Sequence, residues 1–168
     1  MLRKSVLKNK ELNKNFLKKL DEIAHLNSFS KKLSSFNKKY NNFSLFITEY
    51  QTYLLENMEY PPNNLSINDK IFEGIIHRLD VLSDYKNITL KIYLESQKNP
   101  KYFLIINKFI ITFFKSFLKS QLDITKAYFI YIYAFNIWIE DDSSMDKTMA
   151  AIGKSFEGIN KFESLFKK

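Results

Sequence analysis

Two adjacent stretches, residues 102–118 and 127–139, limit what this chain can fold into more than any other part of it. Residues 100–119 and 123–139 read as helices, and the second runs Tyr128, Phe129, Ile130, Tyr131, Ile132, Tyr133, Phe135, Ile137 with apolar or aromatic side chains on nearly every face. A helix of that kind is buried on more than one side. In a chain of 168 residues the simplest cover for so much surface is a second subunit or a bound apolar ligand. Neither stretch is a membrane span. The first is interrupted by Asn107, Lys108 and Lys115. The second falls short of the roughly 20 apolar residues needed to cross a bilayer. The link Ser120-Gln121-Leu122-Asp123 is short, which makes the pair antiparallel neighbours.

The remaining periodicity is helical too. Three Gly and three Pro in the whole chain, set among long stretches of 3.6-residue spacing, imply an all-α protein. Expected helices cover residues 3–25, 30–40, 43–59, 68–83, 86–97, 100–119, 123–139 and 145–166. Asn68 is the expected cap of the fourth. Pro100, behind Asn99, suits the first position of the sixth. Tyr60-Pro61-Pro62-Asn63-Asn64 is the clearest punctuation, because neither proline nor the residue before it continues a helix. It divides the chain into a basic helical head, residues 1–60, and a body, residues 61–168.

Composition removes several chemistries. With no Cys there is no disulfide, thiolate nucleophile or thiolate metal site. His25 and His77 stand far apart without companion ligands. The glycines, at 74, 153 and 158, are too dispersed for a phosphate-cradling loop, so no cofactor and no metal are expected. Asp80 and Asp84 lie one turn apart but lack a base or nucleophile beside them. No secretory signal is visible, and a cytoplasmic protein is expected, with peripheral attachment to the inner face of the cytoplasmic membrane as an extension of that reading. Residues 1–40 hold 11 Lys/Arg against 3 Asp/Glu, while residues 41–168 hold 15 of each. The whole positive excess therefore sits at the front, where it can attract nucleic acid or an anionic membrane surface. Lys, Asn, Ile, Phe and Tyr supply 85 of the 168 residues, a bias that AT-rich codons produce, so lysine and aromatic richness alone carry little functional weight.

Residues 136–152 join the apolar helix to the last one. Asp141, Asp142, Ser143 and Ser144 carry short side-chain oxygens that accept the free N–H groups of a first helical turn. Met145, Met149, Ile152, Phe156 and Ile159 then recur at helical spacing. The same stretch, Trp138-Ile139-Glu140-Asp141-Asp142-Ser143 with Asp146-Lys147-Thr148-Met149-Ala150-Ala151-Ile152, is similar to the closing motif of the Coq-nine family of ubiquinone-biosynthesis accessory proteins. Asp69-Lys70-Ile71-Phe72-Glu73 through Arg78-Leu79-Asp80 resembles the segment that opens that family's body. The likeness covers roughly residues 43–160. It implies a TetR-like helical bundle with a small three-helix amino-terminal head and a larger ligand-binding and dimerisation body. A DNA-reading head needs a tight turn, usually with Gly, and base-reading side chains. No Gly precedes Gly74, and only Arg3 among residues 1–40 is an arginine. A degenerate head with no specific DNA binding is expected.

The resemblance also implies function: a non-catalytic lipid-binding accessory protein, a homodimer, that shelters a quinone intermediate or other lipid and presents it to a membrane-bound hydroxylase. The residues put forward to line the lipid site are Phe72, Ile76, Tyr93, Phe109, Phe113, Tyr128, Tyr131 and Phe135. Trp138, Asp141 and Asp142 are put forward as a partner-facing patch. Phe162, Leu165 and Phe166, flanked by lysines, suit a helix lying in a membrane interface. The alternative is a TetR-type, ligand-responsive transcriptional regulator.

Overall fold

Among the residues described by the computed structural model (12–25, 29–142 and 144–166, without the side chains of Ser30, Asn160 and 162–166), the chain is all-helical. The helices are α1 Lys14–Ile23, α2 Phe29–Phe36, α3 Phe43–Glu56, α4 Ile67–Ser83, α5 Lys86–Lys98, α6 Pro100–Lys115, α7 Gln121–Trp138 and α8 Asp146–Phe166. One 3₁₀ turn, Lys38–Asn41, joins α2 to α3. The part of the expected first helix that precedes residue 12 lies outside the described residues.

Asparagines set most of the breaks in the front half. The Asn13 side chain accepts the N–H of Phe16 at 2.9 Å and starts α1. Asn37 accepts from Lys39 N at 3.0 Å, which splits the expected 30–40 helix into α2 and the 3₁₀ turn. Asn42 accepts from Ser44 N at 3.1 Å and starts α3. Asn99 does the same for α6, with Pro100 at its first position as expected. The start of α4 differs from the sequence expectation. Ser66, not Asn68, is the cap: its Oγ accepts from Asp69 N at 3.2 Å and donates to Asp69 Oδ2 at 2.6 Å. That reciprocal pair satisfies a free N–H and fixes both side chains, which a lone Asn two residues later could not do.

Two helix ends are satisfied from elsewhere in the fold. No side chain of its own caps α5; instead Asp21, on α1, accepts Ile88 N at 2.8 Å and Asn87 Nδ2 at 3.0 Å. Burial raises the Asp21 pKa above its usual value, more than those two hydrogen bonds lower it. At the carboxyl end of α7, Lys86 Nζ donates to Trp138 O at 3.1 Å and Asp141 O at 2.9 Å and lies 4.9 Å over the Trp138 ring. A cation there also meets the negative end of the helix dipole.

One hydrophobic core runs from Leu17 on α1 to Ile152 on α8. Each aromatic or aliphatic side chain fully taken from water contributes about 1.5–3 kcal/mol. The Pro61-Pro62 loop interrupts helix but not core. Tyr60 tilts onto Phe113 across it at 5.7 Å, and α3 packs along α6 on its far side, with Phe43 edge-on to Tyr102 at 5.4 Å. The third helix thus turns one broad face into the interior. Phe43, Phe46, Ile47, Tyr50, Gln51 and Leu54 are buried, and its sequence holds no Lys or Arg. A helix without Lys or Arg has no basic face to lay in a major groove.

The α6–α7 pair is antiparallel, with Tyr128 OH on Asn107 Oδ1 at 2.6 Å. Helix α7 packs against α4, α6 and α8. That does not cover it all round: Leu122, Phe129 and Tyr133 remain 81 %, 65 % and 52 % exposed. They recur at positions 122, 129 and 133, which is one face of a helix, and three neighbours leave that row open. Helix α4 is held close to the α6–α7 loop at Gly74, where a Cβ would stand 2.6 Å from Phe117 Cζ. No helix among the described residues is long and apolar enough to cross a membrane.

Candidate functional site

Helices α3 to α7 enclose a pocket of about 260 Å³. Tyr50 and Gln51 come from α3, and Arg78 and Leu82 from α4. Thr89, Ile92, Tyr93, Ser96 and Gln97 come from α5; Phe103, Ile106, Asn107 and Ile110 from α6; Tyr131, Ile132, Phe135 and Asn136 from α7. Most of the wall is apolar. The lining includes no carboxylate and no imidazole.

The polar groups are arranged in two tiers. At the mouth, Tyr93 OH donates to Asn136 Oδ1 at 3.2 Å, and Asn136 Nδ2 and Asn107 Nδ2 return to the carbonyls of Ile132 and Phe103. Phe103 itself is half exposed, with Leu104 beside it more so. On the inner side lies Arg78, only 1 % exposed. Its Nε donates to Tyr131 OH at 3.2 Å, its Nη2 to Gln51 Oε1 at 2.9 Å and its Nη1 to Met58 Sδ at 3.7 Å. The rings of Phe113 and Tyr131 stand 5.5 Å from its Cζ. None of the carboxylates among the described residues forms an ion pair with it. Beside it Tyr50 OH and Thr89 Oγ1 share a buried hydrogen bond of 2.8 Å. Burial pushes the Tyr50 phenol well above the usual tyrosine range, against a smaller lowering by Thr89, so it stays neutral.

Of the eight residues expected to line a lipid site, the structure gathers three on this wall: Tyr93, Tyr131 and Phe135. Phe113 is fully buried behind it, packed on Phe114, Phe117 and Tyr60. Phe72, Ile76 and Tyr128 are half-buried against the core, and Phe109 is half-buried on α6; none of these is on the pocket wall. On α6 the wall is built from Phe103, Ile106 and Ile110; Phe109 is turned off that face, whereas Phe113, two turns beyond Ile106 on nearly the same face, is taken up by core packing against Tyr60, Phe114 and Phe117.

The expected partner-facing patch is corrected at two of its three residues. Trp138 is 1 % exposed, lies against Phe135 and donates Nε1 to Ser83 Oγ at 3.2 Å. Asp141 is buried and spent on the chain itself. Its Oδ2 accepts both Thr148 N and Thr148 Oγ1 at 2.8 Å, and its Oδ1 accepts Asp142 N at 3.0 Å. Burial works to raise the Asp141 pKa, but the Thr148 and Asp142 hydrogen bonds outweigh it and hold the carboxyl below its usual value. Asp142 is exposed; hydrogen bonds from Ser144 to its Oδ1 lower its pKa too. Among the described residues no group of three or more His, Asp or Glu could hold a metal ion. These acids set the turn into α8, where Met145 takes a left-handed φ of 56°. The side chains of Phe162, Leu165 and Phe166 lie outside the described residues.

The residues that give the inner tier its character, Gln51 and Arg78, are not among the expected site residues. Their signal is in the sequence. Arg78 occupies a core-facing place in the stripe Ile71, Ile75, Arg78, Leu82, and Gln51 does so in Ile47, Gln51, Leu54, Met58. A polar side chain at a buried helical position has to find a partner. Here each finds the other. Comparison of the chain with protein-family models, with curated proteins and with solved structures gives no match.

Proposed function

We propose that this protein is a non-catalytic binding protein for a lipid-like small molecule, held in the pocket among α3 to α7. The observation that carries the reading is the pocket itself: an apolar wall, an inner cluster of fixed hydrogen-bond donors and a mouth beside exposed aromatic side chains. Ligand sites of this kind are mostly apolar, with a few convergent polar groups that fix orientation. The lining offers binding and orientation; it has no carboxylate or imidazole to move a proton.

Size narrows the ligand. An apolar cavity of about 150 Å³ accommodates benzene. The volume here, about 260 Å³, takes one ring or a short apolar segment, not a whole polyisoprenoid. A long tail would leave past Phe103 and continue over exposed side chains such as Leu104. The likeness of residues 69–80 and 138–152 to the Coq-nine family favours a quinone intermediate, presented to a membrane-bound hydroxylase. The regulator alternative gains no support from α3, which carries no Lys or Arg.

Native mass spectrometry of the purified protein, with extraction of bound lipid, tests the reading. A co-purified quinone precursor or long-chain lipid would support it. An empty protein that also takes up no added single-chain lipid would overturn it. Retention of a bound lipid by a variant with Ile106 or Ile132 changed to Trp, which fills the pocket, would place the lipid elsewhere.

A further inference from the structure

A guanidinium is a permanent cation with five N–H donors. Arg78 uses three of them, one on a thioether sulfur, which is a weak acceptor. Two donors remain, and no carboxylate of the described residues neutralises the charge. Burying a charge is costly unless it is paired and hydrogen-bonded. Two aromatic faces at 5.5 Å offset only part of that cost. Arg78 also borders the pocket, so a ligand held there lies beside a charge that no carboxylate of the described residues neutralises.

From this geometry, and resting on the lipid-pocket reading above, we infer that the ligand is an amphiphile with a carboxylate head, which pairs with Arg78 while its chain runs between Ile106 and Ile132 toward Phe103. A carboxylate presents two oxygens that match the guanidinium fork. Tyr131 and Gln51 hold that fork in place, since each already accepts one of its N–H groups.

Decanoate and decanol have the same chain length and differ in head group, so they separate this inference from the reading it rests on. Binding is followed by calorimetry and by Trp138 fluorescence, because Trp138 packs on the pocket residue Phe135 at 5.4 Å. Decanoate is expected to bind about tenfold to a hundredfold more tightly than decanol. In Arg78→Met that preference disappears. Gln51→Glu is a second test that keeps the arginine. It places a carboxylate where an amide oxygen now stands 2.9 Å from Nη2, so the protein pairs its own cation and the preference for decanoate is lost. Equal binding of decanoate and decanol by the unaltered protein overturns the carboxylate inference and leaves the lipid pocket standing. A preference that survives in Gln51→Glu or in a folded Arg78→Met also overturns it, because surface lysines would then be its source. Binding of neither probe overturns both readings.

Discussion

Two tyrosines face the same pocket, and the same substitution should affect them very differently. Tyr131→Phe removes the oxygen that accepts from Arg78 Nε, leaving a donor of a buried cation without a partner. Hydrogen bonds to charged groups contribute about 1.5–3 kcal/mol. At 3.2 Å this one is at the long end of the N–H···O range, so the lower figure applies, about 1.5 kcal/mol. For a chain of this size that is a loss of roughly 3–6 °C in Tm. Tyr93→Phe removes a hydroxyl that bonds Asn136 at the exposed mouth, and should cost less than about 0.5 kcal/mol. Urea denaturation followed by Trp138 fluorescence and by circular dichroism measures both. The cost of Tyr131→Phe should also shrink in an Arg78→Met background, because the stranded donor is then gone. Equal stability of the two Tyr→Phe variants, or an undiminished cost in that background, would refute the claim that Tyr131 satisfies a donor of a buried cation.

Three further outcomes follow from the helix ends and the close contact at Gly74. Asp21→Ala should lose about 1 kcal/mol, because it uncaps α5, and Asp21→Asn should restore most of it; a wild-type melting curve for the alanine variant would contradict the cap assignment. The two structural acids should also respond oppositely to pH. Asp141 is held below its usual 3.8, so its contribution is present above that pH and is lost as pH falls through the folded value, whereas Asp21 is raised above 3.8, so stability declines as pH rises from 3.8 through its folded value. Acid titration of Asp141→Asn should lack the first limb and of Asp21→Asn the second, and an unchanged profile in either variant rejects that assignment. Gly74→Ala gains about 1 kcal/mol of helix propensity but forces Phe117 away from a Cβ contact of 2.6 Å, an overpacking cost of about 1–3 kcal/mol; Gly153→Ala, with nothing within 4 Å among the described residues, keeps the propensity gain. A Gly74→Ala protein more stable than Gly153→Ala would mean the contact is easily relieved.

Helix type and number were legible in the sequence because they depend on local spacing. The stripes of α4 and α8, the stop at Asn99-Pro100 and the short α6–α7 link could all be read from the sequence. Expected helix ends were less accurate where polar residues crowd together, as at Ser66 and Asn68, because which oxygen caps depends on a backbone angle and not on composition. The site was legible only in part. Tyr93, Tyr131 and Phe135 are legible as aromatics at helical spacing, but so are Phe109, which α6 turns off the pocket wall, and Phe113, which is taken up by core packing with Phe114 and Phe117.

By itself, then, the sequence determined an all-helical chain, broken at its asparagines and prolines, with more apolar surface on α7 than its neighbours can cover. Those features follow from interactions within a few residues. Tertiary structure alone decided that Asp21 caps a helix 67 positions away, that Lys86 closes the end of α7, that Trp138 and Asp141 turn inward, and that Arg78 meets Gln51 and Tyr131 from two other helices. Each of these satisfies a polar group or a charge with a partner distant in sequence, and burial makes such partners obligatory without specifying which residue supplies them.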